Sequence, residues 1–354
     1  MKLKHISKTF IAFFSLFALT LAISCSEDDS VSQETLLTNE RAILLTNIYE
    51  NNISTLVEEV EVEINKLEVS ANTFIENRTV QNLESLQAEW KNAIADWKQL
   101  EVYNITQLGL TVTYYNVHFA PVNHSIIEEK ILGTETIDNA LIKSLGSNAK
   151  GFTSLEYLLF SEDNTALISD FTTAEKAERR VTFLKETILE LKNTFTEIKN
   201  KWMFFKADFI GDKGTGVTSM QSQVINNMIT ALEIIKVKKL EKPFQGLEEA
   251  ESPYSDYSIE IIQKELEATK QLFLAFDNYL NILNEGELSS DIKNKFDLCI
   301  TAANDISSLN SSIENGDTKI NTLVQKIKDL LLVVKIDMAA ATKTTVTFND
   351  TDGD

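Results

Sequence analysis

Beyond the N-terminal segment, apolar residues recur three and four positions apart along almost the whole chain. That spacing lines one face of an α-helix, whereas a half-buried strand would alternate. It predicts helices over about 33–75, 80–105, 172–208, 217–237, 256–284, 289–307 and 314–342. The run Glu58-Glu59-Val60-Glu61-Val62-Glu63 alternates, but its surroundings argue for helix. Turn-rich breaks fall at 211–216, 242–246, 284–286 and 315–317, and only 3 Pro and 11 Gly interrupt the chain. The segment 106–150, with Tyr114, Tyr115, His118, Pro121 and His124, is less regular and reads as an excursion that forms a site. Long helices joined by short links bury their stripes as up-and-down bundles. The expected fold is therefore all-α, with a first bundle over 33–210, a second over 217–343 and a tail over 344–354. No short repeat of the solenoid kind is visible.

The first residues depart from this pattern. Lys2, Lys4 and Lys8 precede the apolar run from Phe10 to Leu21, and Leu21-Ala22-Ile23-Ser24-Cys25 follows. A charged start, a short apolar run and small residues before a cut describe a secretory signal over 1–24. Ser24-Cys25 resembles a bacterial lipobox, with Cys25 as the lipidated first residue of the mature chain. A retained membrane anchor is the competing reading, but the run is short for a span of about 20 residues. Ser26-Glu27-Asp28-Asp29-Ser30 then makes an acidic tether over 25–32. It resembles the export signal of surface lipoproteins in Bacteroidetes, and a plain solvated linker is the alternative. These features place the protein in the cell envelope as an outer-membrane lipoprotein, with the membrane as its first partner.

The 354 residues carry 33 Lys+Arg against 53 Asp+Glu, a net charge of -20, and losing the signal removes three lysines and no acid. Phosphate neutralisation needs clustered Lys and Arg, so no nucleic-acid partner is expected. With 43% hydrophobic residues the chain is not disordered. With Cys25 acylated, Cys299 has no partner and reads as a buried thiol.

Three constellations could carry chemistry. Trp90, Trp97 and Glu101 share a helical face at intervals of seven and four. They are either a core stripe or a carboxylate held between rings. Glu156 sits on the apolar segment 151–160, where an unpaired carboxylate is costly, so it must have a partner. Thr153 lies one turn earlier on the same face. The third, Glu248–Ser258, carries Glu251 and leads into a helix for which Ser255 or Asp256 is a natural N-cap. His118 and His124 are weaker candidates for metal or haem ligation.

At these places the chain resembles the imelysin family. Trp90-x6-Trp97-x3-Glu101-x-Tyr103 looks like the family's first motif, and Gly151-Phe152-Thr153-Ser154-Leu155-Glu156 looks like its Gly-x-His-x-x-Glu motif. Glu251-Ser252-Pro253-Tyr254-Ser255 looks like a third, and 346–354 is similar to the tail of Bacteroidetes members. The resemblance implies two helical bundles whose motifs meet in a cleft between them, and a link to iron uptake. It also places the family's metal-binding His on Thr153, a poor substitute for imidazole. Glu156, with Glu101 and Glu251, is left as an oxygen-only set suited to a hard cation. Zinc hydrolysis needs about three N/O ligands and an activating carboxylate, and no helical His pair is present, which argues against a peptidase.

The expected function is a non-enzymatic, envelope-anchored binding protein linked to iron, haem or other metal-ligand uptake, with an outer-membrane uptake partner. The cofactor would be a metal ion (iron, zinc or calcium) or haem. A structural or protein-interaction module with a degenerate site and a metallopeptidase are the alternatives.

Overall fold

A computed structural model describes residues 33–347. The signal segment, Cys25, the acidic tether and the end of the tail from Phe348 lie outside the described residues. The chain forms two units, Met1–Thr38 and Asn39–Asp354. The first contributes only 33–38 to what is described, the opening of α1 (Gln33–Ile48), and everything below concerns the second.

The fold is all-α, and no strand occurs among the described residues. Helices α2 (Ser54–Glu76) and α3 (Val80–Glu101) form an antiparallel pair, because the Arg78-Thr79 turn between them is short and the Thr79 side chain caps α3 by accepting from the Asn82 N–H. Helix α9 (Ala177–Gly211) runs for 35 residues beside α2. The alternation in 58–63 lies inside α2, where Val60 is buried and Val62 exposed, as helical spacing requires.

The irregular segment 106–150 contains three short helices, α4 (Thr111–Val117), α5 (His124–Leu132) and α6 (Asn139–Ser144). Helices this short are marginal alone and show little periodicity, so caps and packing define them. Asn123 caps α5 and Asp138 caps α6. Helix α7 (Gly151–Phe160) is buried along nearly its whole length. The helix expected over 172–208 is α9, which begins only at Ala177, and a separate α8 (Asn164–Thr172), capped by Asp163, precedes it.

Beyond the loop that follows α9 come α10 (Met220–Ile234), α11 (Ser258–Ala275), α12 (Asp277–Ile282), α13 (Gly286–Asn304), α14 (Leu309–Glu314) and α15 (Lys319–Val333). Helix α11 packs on α10 and α13, and also on α3, so residues far apart in sequence face each other across that contact. A π-helical stretch, Ile235–Glu241, continues α10. Such insertions rotate the residues that follow them and are frequent at functional sites.

Neither Ser255 nor Asp256 caps α11. Asp256 has φ 48°, the helix begins at Ser258 after an uncapped Tyr257, and Ser255 spends its hydroxyl elsewhere. No helix among the described residues is long and apolar enough to cross a membrane.

The start of α7 is set by close approach. Gly151 has φ 62°, and a Cβ there would stand 2.2 Å from the Val117 carbonyl oxygen. Both the dihedral and the contact demand glycine. Gly151→Ala should destabilise the fold by about 3 kcal/mol, read from the urea midpoint.

Candidate functional site

The centre of the site is a buried chain of alternating charges. Glu251 Oε1 receives Lys98 Nζ at 2.5 Å and Lys239 Nζ at 3.1 Å. Lys98 also bonds Glu101 Oε2 at 2.7 Å, and Lys239 also bonds Glu265 Oε1. The order is therefore Glu101, Lys98, Glu251, Lys239, Glu265, drawn from α3, the 250–257 turn, the π-helical stretch and α11. Lys98, Lys239 and Glu265 are each at most 5% exposed.

Burial opposes the charge on Lys98, but Glu101, Glu251 and Glu265 outweigh it and hold the ammonium above the usual lysine range. Burial likewise opposes the charge on Glu251, and Lys239 and Lys98 hold its carboxyl well below the usual range. Glu265 goes the other way. Burial pushes it up to about 7, with Lys239 and Lys98 opposing and Glu251 and Glu101 reinforcing.

His118 Nδ1 lies 3.4 Å from Glu251 Oε1. Burial, then Lys98, holds this imidazole well below its ordinary value, so the contact joins a neutral ring to a carboxylate and is not an ion pair. Thr153 sets its position: the Thr153 hydroxyl oxygen accepts the Phe119 N–H at 2.9 Å, one residue beyond His118. The Thr153 hydroxyl oxygen thus serves the backbone.

Glu156 is held apart from this chain of charges. Its Oε1 accepts from the Ser255 N–H at 2.9 Å and the Ser255 hydroxyl at 2.8 Å, tying α7 to the turn that carries Glu251. Burial pushes its carboxyl up to about 7, with the Ser255 and Tyr254 hydrogen bonds opposing. Trp97 is a core residue, 5.0 Å from the Tyr114 ring, and Trp90 Nε1 donates to the Phe152 carbonyl oxygen. His124 is exposed and stacks on Tyr157.

The charged chain reaches a polar cavity of about 320 Å³ at both ends, because Glu101 and Glu265 line it together with Asn104, Gln223, Asn226 and Asn227. Of the sequence candidates, Glu101 and Glu251 come together through Lys98, with His118 against Glu251. Neither His118 nor His124 lines the cavity.

Sequence reasoning missed Lys98, Lys239 and Glu265. Glu265 carried the same signal as Glu156, a carboxylate on a stripe with Ile261, Ile262 and Leu266. Lys98 lies one turn before Glu101. Lys239 gave none, because Lys236-Val237-Lys238-Lys239 reads as a solvated run.

Ligand oxygens of Glu101, Glu251 and Glu265 all lie within 4.8 Å of one another, close enough to share a cation. Two ammonium groups already take them, however, and a metal seated among them would have to displace both Lys98 and Lys239. A hard cation needs about six oxygens. The donor set does not fit a resident metal.

Removing one member of a buried ionic set leaves charges without partners, at about 3–5 kcal/mol. Glu251→Ala, which takes from Lys98 and Lys239 the carboxylate they share, should lower stability by that amount in urea unfolding. Glu156 and Glu265 keep protons in the fold where an unfolded glutamate, near 4.5, has lost them. The native state then binds more protons than the unfolded chain, and stability falls as pH rises between about 4.5 and 7. Glu156→Gln should flatten that fall when urea midpoints are compared at pH values of about 5 and 7.5.

Residues 57–334 match the family model for Imelysin (Peptidase_M75). The fold is similar to that of an imelysin-like protein from Psychrobacter arcticum 273-4, at 13% identity and a TM-score of 0.74, covering 88% of this chain and 98% of that one. It is also similar to a protein named as an iron-regulated protein A precursor from Parabacteroides distasonis ATCC 8503, at 16% identity and a TM-score of 0.72, covering 87% and 96%. No curated protein matches the sequence. At these identities the structural likeness speaks for the fold, whereas the family model spans most of the chain. This protein belongs to the imelysin family.

Proposed function

We propose that the protein is a lipid-anchored, non-enzymatic binding protein of the bacterial envelope that captures a positively charged ligand as part of iron, haem or other metal-ligand uptake. The observation that carries this reading is the placement of Glu101 and Glu265. Both line a polar cavity while the lysines that pair with them are buried behind. A concave site with two carboxylates in its lining attracts cations. The name of the Parabacteroides distasonis structure, an iron-regulated protein, supports the link to iron. Anchoring rests on Cys25, and handover would fall to an outer-membrane uptake partner.

Hydrolysis is a poorer reading. A catalytic metal needs an open donor set, and the oxygens that converge here are taken by ammonium groups. Haem is the least supported cargo, because no imidazole lines the cavity. One observation favours a scaffold whose site has been retired: each of the three converging carboxylates already has a lysine partner.

The test is a titration of the purified full chain with ferric citrate, zinc, calcium and haem, following bound metal and thermal stability. Binding is expected for at least one, and Glu101→Gln should weaken it by about tenfold, the loss of one charge-assisted contact. No binding and no thermal shift across the whole panel would favour the scaffold.

A further inference from the structure

The atoms around the cavity are unbalanced in hydrogen-bonding type. Gln223 Nε2 donates to the Val217 carbonyl oxygen and Asn227 Nδ2 to that of Val102. Asn226 Nδ2 donates to both Ser222 and Thr345 carbonyl oxygens. Three of the four side-chain amides on the wall thus turn their donors into the protein's own backbone. Acceptors are left over. Glu265 Oε2 and Asn104 Oδ1 are buried, have no hydrogen-bond partner, and belong to side chains that line the cavity. Glu265 is only 5% exposed, so its second oxygen cannot be satisfied by bulk water. A buried acceptor left unmade costs about 1–3 kcal/mol, which a ligand with the right group recovers.

The charge points the same way. Two buried ammonium groups face three carboxylates, so the set is short of one positive charge when Glu265 is ionised. The missing charge belongs at the Glu265 end, where Oε2 is free.

Resting on the cation-binding reading above, we propose that the cavity recognises an organic ammonium group, which places its N–H donors on Glu265 Oε2 and Asn104 Oδ1 beside the Glu101 carboxylate. A bare metal ion is the wrong shape for this arrangement, since Glu251 Oε1 and Glu265 Oε1 are held by lysines and too few oxygens stay free for its coordination shell. An ammonium needs only two or three acceptors at ordinary hydrogen-bond distance. At about 320 Å³ the cavity is at the small end of ligand sites, of a size for a short amine or the amine-bearing end of a larger cargo.

Binding must be linked to protons. In the free protein burial pushes Glu265 up to about 7, with Lys239 and Lys98 facing it as cations and Glu251 and Glu101 as anions. A bound cation favours its ionised form, so the amine should bind more tightly as pH rises from about 6 to 8, with proton release on binding at the lower pH.

Calorimetry on the full chain tests this with three probes: 1,4-diaminobutane, which has charge and donors; tetramethylammonium, which has charge alone; and Mg²⁺. The expected result is saturable binding of 1,4-diaminobutane, tighter than tetramethylammonium by about tenfold or more, and stronger at pH 8 than at pH 6. Glu265→Gln should remove the pH dependence and weaken binding about 10–100-fold. Asn104→Leu, which breaks no hydrogen bond of the fold and removes an unpartnered acceptor, should weaken it without lowering stability. Equal binding of the two ammonium probes would overturn donor recognition. Binding of Mg²⁺ alone, lost in Glu101→Gln, would overturn the ligand class and leave the cation-binding function standing. Binding of none of the three probes overturns this inference, and the function falls with it only if ferric citrate, zinc, calcium and haem also fail.

Discussion

One oxygen organises this site. Glu251 Oε1 is shared by two buried ammonium groups and faces a neutral imidazole, and each lysine reaches on to a further carboxylate. Charges taken out of water survive only with close partners of opposite sign. Once Lys98 and Lys239 are buried, the positions of α3, α11, the π-helical stretch and the 250–257 turn are mutually constrained. The arrangement satisfies the interior of the protein first. What it leaves for a ligand lies at its two ends, where Glu101 and Glu265 reach the cavity.

The Gly-x-Thr-x-x-Glu segment supports this centre without entering it. Gly151 lets α7 start against the Val117 carbonyl oxygen, the Thr153 hydroxyl accepts from the Phe119 N–H and so fixes the residue after His118, and Glu156 holds Ser255 on the turn that bears Glu251. The imidazole near the carboxylates thus comes from His118 at the end of α4, on another element, while position 153 serves the backbone.

Burial divides the acids by partner. Glu251, with two lysines, stays ionised, whereas Glu156, held by neutral donors, and Glu265, with one oxygen unpartnered, are pushed up to about 7. Two groups poised near neutrality in one small region make stability responsive to pH. The fold favours the protonated forms, and a cationic ligand favours the ionised one.

The all-α fold, the long helices and the burial of Glu156 were legible in the sequence, because helical periodicity and an isolated carboxylate on an apolar face are local signals. The short helices of 106–150 and the start of α11 were less so, since caps, packing and the φ 48° of Asp256 decide them. Of the central chain of charges, Glu101 and Glu251 were legible as candidates, but the lysines that join them were not. Lys98 and Lys239 are 141 positions apart, and nothing near either one says that both meet Glu251. Whether a charged residue is solvated or buried depends on which distant helix covers it. Local sequence therefore determined the elements and one of the acids, and only the packing of α3 against α11 decided which lysines enter the interior and which carboxylate oxygens remain free.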